Sequence, residues 1–157
     1  MFQMKTNNPE QTYQLGQKFA AAMKPGMTIL LEGDLGAGKT LFVQGFAAQL
    51  QVKEQVTSPT FNLMNIYQGD CPIYHFDLYR LEQEEELDEI GFYEYSEAPD
   101  GIVIIEWPDK FPDCLPKEAF YIKIELGELP DQRKICVALK GETHKDLYEE
   151  LETSCLY

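Results

Sequence analysis

The sequence predicts an α/β fold with parallel strands at its centre and an antiparallel ribbon towards its C-terminal end. Three observations predict it. Two short apolar runs, 27–32 and 102–106, have the composition of buried parallel strands. A glycine-rich turn and then a helix-periodic segment directly follow the first run, giving strand, loop and helix in succession. Beyond residue 119, two runs of alternating apolar and polar residues flank Pro130-Asp131, the pattern of a half-buried antiparallel pair.

The elements follow in order. Asn8-Pro9-Glu10 is a helix start: a capping side chain, Pro at the first helical position, then an acid. The helix should run from about Pro9 to Met23, burying Leu15, Phe19 and Ala22, and Lys24-Pro25-Gly26 stops it. The first strand follows at 27–32. The helix after the glycine turn places Leu41, Phe42, Phe46, Ala47 and Leu50 at helical spacing. A polar connection with a stiff Ser58-Pro59 step leads to two extended runs, 61–67 and 73–77. Gln68-Gly69-Asp70 joins them as a β-hairpin. Residues 82–90 read as an acidic helix closed by Gly91, with Glu84-Glu85-Glu86 on its solvated face. Ile102-Val103-Ile104-Ile105-Glu106 is the second buried strand, ended by Trp107-Pro108. The ribbon strands are 119–126 and 134–139, and 145–151 closes the chain as a short helix.

The turn after the first strand is Gly33-Asp34-Leu35-Gly36-Ala37-Gly38-Lys39-Thr40, a match to G-x-x-x-x-G-K-[ST] in the right strand-to-helix context. Glycine lets the backbone adopt conformations closed to other residues, so N–H groups can turn inward around a phosphate. The turn feeds the positive end of a helix dipole. Lys39 supplies a mobile charge for the β- and γ-phosphates, and Thr40 a hydroxyl for Mg²⁺. All eight residues are therefore candidate ATP contacts.

Such a loop needs an acid at the end of a neighbouring strand. Asp77 ends the run 73–76 and Glu106 ends the run 102–105. The second run is more fully apolar and is the better neighbour for 27–32. Glu106 is thus assigned to the metal with Thr40, directly or through water. Asp77 is assigned as a second acid at the same rim, to orient or deprotonate the attacking water or to share the metal. The two roles are interchangeable at the level of sequence. Thr57, Ser58 and Thr60 lie where the first switch of a nucleotide hydrolase would fall, with Thr60 the candidate for approach to the γ-phosphate. Arginine is scarce, with only Arg80 and Arg133. A charge for the transition state would come from Arg80 or from a partner in trans. His75 reads as a packed or surface residue, and Trp107 either as core or as an aromatic at the active rim.

The chain of 157 residues is expected to form one domain, 1–157, with 44% hydrophobic residues for its core. No run of eighteen apolar residues occurs, so no membrane association is expected, and the first residues lack a secretory pattern, which points to the cytoplasm. Cys71, Cys114, Cys136 and Cys155 are far apart without a C-x-x-C pair, so reduced thiols are expected rather than a zinc site. The net charge of −14 opposes direct binding to nucleic acid and favours a partner with a basic face.

Taken in order, several segments resemble the TsaE (formerly YjeE) family of bacterial ATPases in tRNA threonylcarbamoyladenosine biosynthesis. They are Glu10-Gln11-Thr12 with Leu15-Gly16, the loop 33–40, and Ser58-Pro59-Thr60. They continue with His75-Phe76-Asp77-Leu78-Tyr79-Arg80-Leu81, Glu85-Glu86-Leu87 ahead of Gly91, and Ile105-Glu106-Trp107-Pro108. The resemblance implies a P-loop NTPase-like three-layer sandwich with a mixed sheet. It implies slow ATP hydrolysis with Mg²⁺ and association with the TsaD and TsaB proteins, so that tRNA is met only indirectly, through those partners. It also implies Lys39 and Thr40 at the phosphates, Glu106 at Mg²⁺, Asp77 as an active-site acid, and adenine-side contacts near 8–12 and Leu129.

Two other classes compete with an ATPase subunit. A nucleotide-gated binding module would use the same loop without needing turnover. A small-molecule kinase is disfavoured by scarce arginine and the lack of an evident lid, and a GTPase by the absence of N-K-x-D.

Overall fold

The computed structural model describes residues 1–97 and 100–156. A seven-stranded mixed sheet separates two helical layers. In chain order the elements are β1 (Phe2–Thr6), α1 (Pro9–Ala22), β2 (Thr28–Glu32), α2 (Lys39–Gln49), β3 (Met64–Gln68) and β4 (Pro72–Asp77). They continue with α3 (Glu85–Glu89), α4 (Phe92–Ser96), β5 (Ile102–Glu106), β6 (Ala119–Leu126), β7 (Arg133–Lys140) and α5 (Lys145–Leu156). The strand order is β1-β7-β6-β2-β5-β4-β3. β4, β5, β2 and β6 are mutually parallel, β3 and β7 run antiparallel to them, and the edge strand β1 runs antiparallel to β7. The three layers, parallel centre and C-terminal ribbon are those the sequence predicts.

Strand alternation decides which layer each side chain joins. On β2, Ile29 and Leu31 pack towards α1 and α2 with Phe19, Phe42 and Phe46, while Leu30 faces Leu87, Phe92 and Phe111 on the other side. On β5, Ile102 and Ile104 face the first layer and Val103 and Ile105 the second. α1 begins where the cap predicts: the Gln11 N–H donates to Asn8 Oδ1 at 2.9 Å. α1 and α2 approach so closely that only glycine fits at their crossing. A methyl at Gly45 would collide with Tyr13 O and lie 2.8 Å from Tyr13 C, and one at Gly16 would lie 2.9 Å from Phe46 N.

The structure differs from the sequence reading at several boundaries. β1 is an additional strand, paired antiparallel with β7 and burying Phe2 and Thr6. The first hairpin strand begins at Met64 rather than Phe61. The chain folds back there, with the Leu63 N–H donating to Pro59 O at 2.7 Å. Leu63 takes a left-handed φ of 67°, which no strand accommodates. The acidic helix begins at Glu85, because the Glu86 carboxylate accepts from the N–H groups of Glu82 and Gln83 (3.1 and 3.0 Å) and holds them in a turn. Gly91 closes it in the left-handed conformation, φ 73°. α4 follows at once, and α5 extends beyond 151 to Leu156. Among the described residues no helix is long and apolar enough to cross a membrane.

Candidate functional site

The loop between β2 and α2 brings the backbone into unusual conformations where the sequence places glycine. Gly36 has φ 81° and Gly38 φ 110°. Gly33 is constrained differently: a Cβ there would lie 2.7 Å from Ile124 O on β6, so the loop leaves the sheet in contact with its neighbour. Gly38 caps α2 without a side-chain hydrogen bond, and α2 opens directly on Lys39 and Thr40. Two of the helix's first N–H groups thus flank the lysine and the hydroxyl.

Parallel pairing then supplies the acids. Glu106 of β5 stands in register with Leu31 of β2 and with Asp77 of β4. Both carboxylates end their strands and, by alternation from Ile104 and Ile73, both lie on the α2 face. They are almost wholly buried, each 2% exposed. Lys39 Nζ approaches Glu106 Oε1 at 3.6 Å. Thr60 Oγ1 donates to Asp77 Oδ2 at 3.0 Å, and the Tyr79 N–H donates to Asp77 Oδ1 at 2.9 Å. Ser58 Oγ lies 2.7 Å from Thr60 Oγ1. Leu35, Gly36, Gly38, Lys39, Thr40, Ser58, Thr60, Asp77, Glu106 and Trp107 line one cavity of about 450 Å³. Gly33 and Asp34 face a neighbouring hollow beside Trp107 instead, and Ala37 is buried beneath the loop.

The donor set suits Mg²⁺. A hydroxyl and two carboxylates are hard oxygen ligands, and this ion takes one or two protein carboxylates with the remainder from phosphate and water. Among the described residues no three His, Cys, Asp or Glu side chains gather closely enough to hold a metal by themselves.

Three residues gain roles that sequence alone did not assign. His75 is fully buried, and its Nε2 meets Glu106 Oε2 at 2.5 Å. It sits two positions before Asp77 on the same strand face, which places it diagonally across from Glu106. Its Nδ1 has no partner among the described residues. The ring therefore acts through Nε2 alone, holding one carboxylate oxygen while the other faces Lys39. Trp107 is a rim aromatic, with Lys39 Nζ 4.6 Å from its ring centroid and the Tyr79 ring tilted against it at 4.7 Å. It holds the left-handed φ of 57°, a conformation that turns the chain sharply after Glu106. Arg133, on the C-terminal ribbon, reaches back to the loop between β2 and α2, whereas Arg80 stacks over Phe61 at 5.3 Å and does not line the cavity. The signal for His75 was its i, i+2 spacing to Asp77. Nothing local marked Arg133, 96 residues from its acceptor.

The flanks of the two segments expected to supply adenine-side contacts, 8–12 and the ribbon near Leu129, meet beside the loop. Gln132 Nε2 donates to Asn7 Oδ1 at 3.5 Å, and Thr12 Cγ2 would lie 3.6 Å from a Cβ on Gly38.

Known proteins match this chain in sequence and in fold. The family model described as threonylcarbamoyl adenosine biosynthesis protein TsaE matches residues 6–135. The chain is 40% identical over 148 residues to the tRNA threonylcarbamoyladenosine biosynthesis protein TsaE of Bacillus subtilis, covering 94% of this chain and 91% of that one. It is 46% identical over 121 residues to the protein of that name from a Nostoc species, covering 74% and 72%. The crystal structure of Bacillus subtilis YdiB superposes with a TM-score of 0.79 at 35% identity, covering 98% of this chain and 95% of that one. On sequence and fold together, the chain belongs to the TsaE family.

Proposed function

We propose that the chain binds ATP with Mg²⁺ in the loop cavity and hydrolyses it slowly, as the ATPase subunit that supports tRNA threonylcarbamoyladenosine modification by acting on the TsaD–TsaB complex. One observation carries this reading: two buried carboxylates in register at the ends of adjacent parallel strands face the lysine and hydroxyl that open α2. That is the constellation phosphoryl transfer to water requires.

The residues divide the work. The loop amides and Lys39 take the triphosphate, and the lysine leaves Glu106 Oε1 to do so. Thr40 and Glu106 would hold the ion, which when bound neutralises charge on the transferring phosphoryl oxygens. His75 keeps the second oxygen of Glu106 in place. Asp77 would orient a water and draw its proton, a role supported by the Thr60 hydroxyl that bridges it to the 57–60 segment. The same contacts give a nucleotide-gated module a specific footing. A triphosphate would compete for both Lys39–Glu106 and Thr60–Asp77, so binding alone would move the 57–60 segment.

Phosphate release should be slow for the pure chain and rise when TsaD, TsaB and tRNA are added. Lys39→Ala should abolish nucleotide binding or turnover, and normal hydrolysis by that variant would remove the assignment. Glu106→Ala separates the two readings, because a gated module keeps its partner regulation after this change and a turnover-driven subunit loses it.

A further inference from the structure

Arg133 Nε donates to Ala37 O at 2.8 Å, and Nη2 reaches Gly36 O at 3.4 Å. The rest of the guanidinium is anchored at home, with Nη1 donating to Pro130 O and Gln132 O, both at 2.8 Å. The side chain is a bolt between the β6–β7 turn and the phosphate loop. Among the described residues no carboxylate pairs with it, so its charge is directed at the loop.

Peptide planarity gives this contact a consequence. In a trans peptide the C=O of one residue and the N–H of the next point in opposite directions. Fixing Ala37 O against Arg133 therefore turns the Gly38 N–H the other way, towards the cavity that Gly38 lines. The neighbouring peptide is already committed, since the Ala37 N–H donates to Asp34 O at 3.0 Å. The Ala37–Gly38 peptide is the one free to rotate. Gly38, at φ 110°, has no Cβ to oppose a flip, because glycine occupies both signs of φ with similar ease.

We infer that Arg133 is a positioning residue for the phosphate loop, which locks the Ala37–Gly38 peptide with its carbonyl outward and its N–H towards the triphosphate. This rests on the nucleotide-binding reading above. It also ties the loop to the β6–β7 turn, so that anything moving the turn changes phosphate affinity.

The test compares Arg133→Met and Arg133→Lys with the wild-type chain in two measurements. With a fluorescent ATP analogue and Mg²⁺, Arg133→Met should raise Kd about tenfold, the loss of one charge-assisted hydrogen bond. Its kcat should stay within about twofold, since no reacting atom is touched. Arg133→Lys, which keeps the charge and one donor, should fall between the two, and it carries the test where Arg133→Met does not fold. In nucleotide-free protein, the Ala37 carbonyl carbon should shift and the Gly38 amide should show microsecond-to-millisecond exchange broadening that the wild type lacks. Unchanged Kd, or an unchanged Gly38 amide, overturns the lock. A wild-type chain that binds no ATP would defeat the nucleotide reading, while the amide measurement still decides the lock.

Discussion

Gly45→Ala sets two effects of opposite sign against each other. Gly45 lies in the interior of α2, where alanine is favoured over glycine by about 1 kcal/mol of helix propensity. Its added methyl, however, would lie 2.8 Å from Tyr13 C and closer still to Tyr13 O, both backbone atoms of α1. Restoring an ordinary 3.4 Å contact to Tyr13 C alone means parting the helices by 0.6 Å, the closer Tyr13 O requires more, and no side-chain rotation can substitute. Overpacking of this kind costs about 1–3 kcal/mol, and a backbone collision belongs at the upper end. The net expectation is a destabilisation of about 2 kcal/mol, or ~6 °C in melting temperature for a chain of this size. Because α2 opens on Lys39 and Thr40, the displacement also reaches the site. A misplacement of 1 Å can cost ~100-fold in rate, so a loss of at least ~10-fold in hydrolysis is expected here. Urea unfolding and phosphate release measure the two effects. Gly36→Ala is the comparison: φ is 81° with no atom within 4 Å of its added Cβ, so only about 1–2 kcal/mol of left-handed strain applies. A Gly45→Ala protein as stable as the wild type, or more so, would show that propensity outweighs contact and would refute the backbone-to-backbone packing.

The roles proposed for the two acids separate in kinetics. Asp77→Asn should lower kcat by ~100-fold or more, as loss of a general base does, with ATP affinity little changed. Glu106→Gln should instead raise the half-saturating Mg²⁺ concentration by at least ~10-fold, and the reversed pattern would exchange the assignments. Stability should fall at alkaline pH. The Tyr74 hydroxyl donates to Asp100 at 3.1 and 3.3 Å, and burial, then this carboxylate, hold the phenol above its ordinary 10.0. Burial, then Asp70, likewise raise the Cys71 thiol above 9.0. The folded chain keeps these protons where the unfolded chain has released them. Their contribution is therefore complete below about pH 9 and fades as pH rises past 10. A urea midpoint that stays constant from pH 8 to about 11 would contradict this, and Tyr74→Phe should flatten part of the slope.

The candidate site was legible in the sequence to different depths. The loop 33–40 was legible because its chemistry is local: glycine, lysine and threonine act at fixed offsets along one turn. Asp77 and Glu106 were legible as strand ends, since an apolar run stopping at an acid marks where a parallel sheet opens to solvent. The hairpin start was misplaced because Phe61 has a strand-forming side chain, yet it lies 82% exposed beside the turn that Leu63 and Pro59 close. β1 escapes a reading of the sequence because five residues carry too short an alternation to stand out, and their pairing with β7 comes from about 130 residues away in the chain.

What the sequence by itself determined is everything set within one turn or one strand: the capped first helix, the glycine loop with its lysine and hydroxyl, the two buried parallel runs and the acids that end them. Only the tertiary structure decided which of these meet. Register placed Asp77 beside Glu106, and strand alternation sent both towards α2 and set His75 behind the carboxylate. The folding back of the ribbon carried Arg133 to Ala37 O. The reason is physical: backbone periodicity is a short-range property that residue types report directly, whereas a contact such as that of Arg133 exists only after the sheet has assembled and its layers have closed.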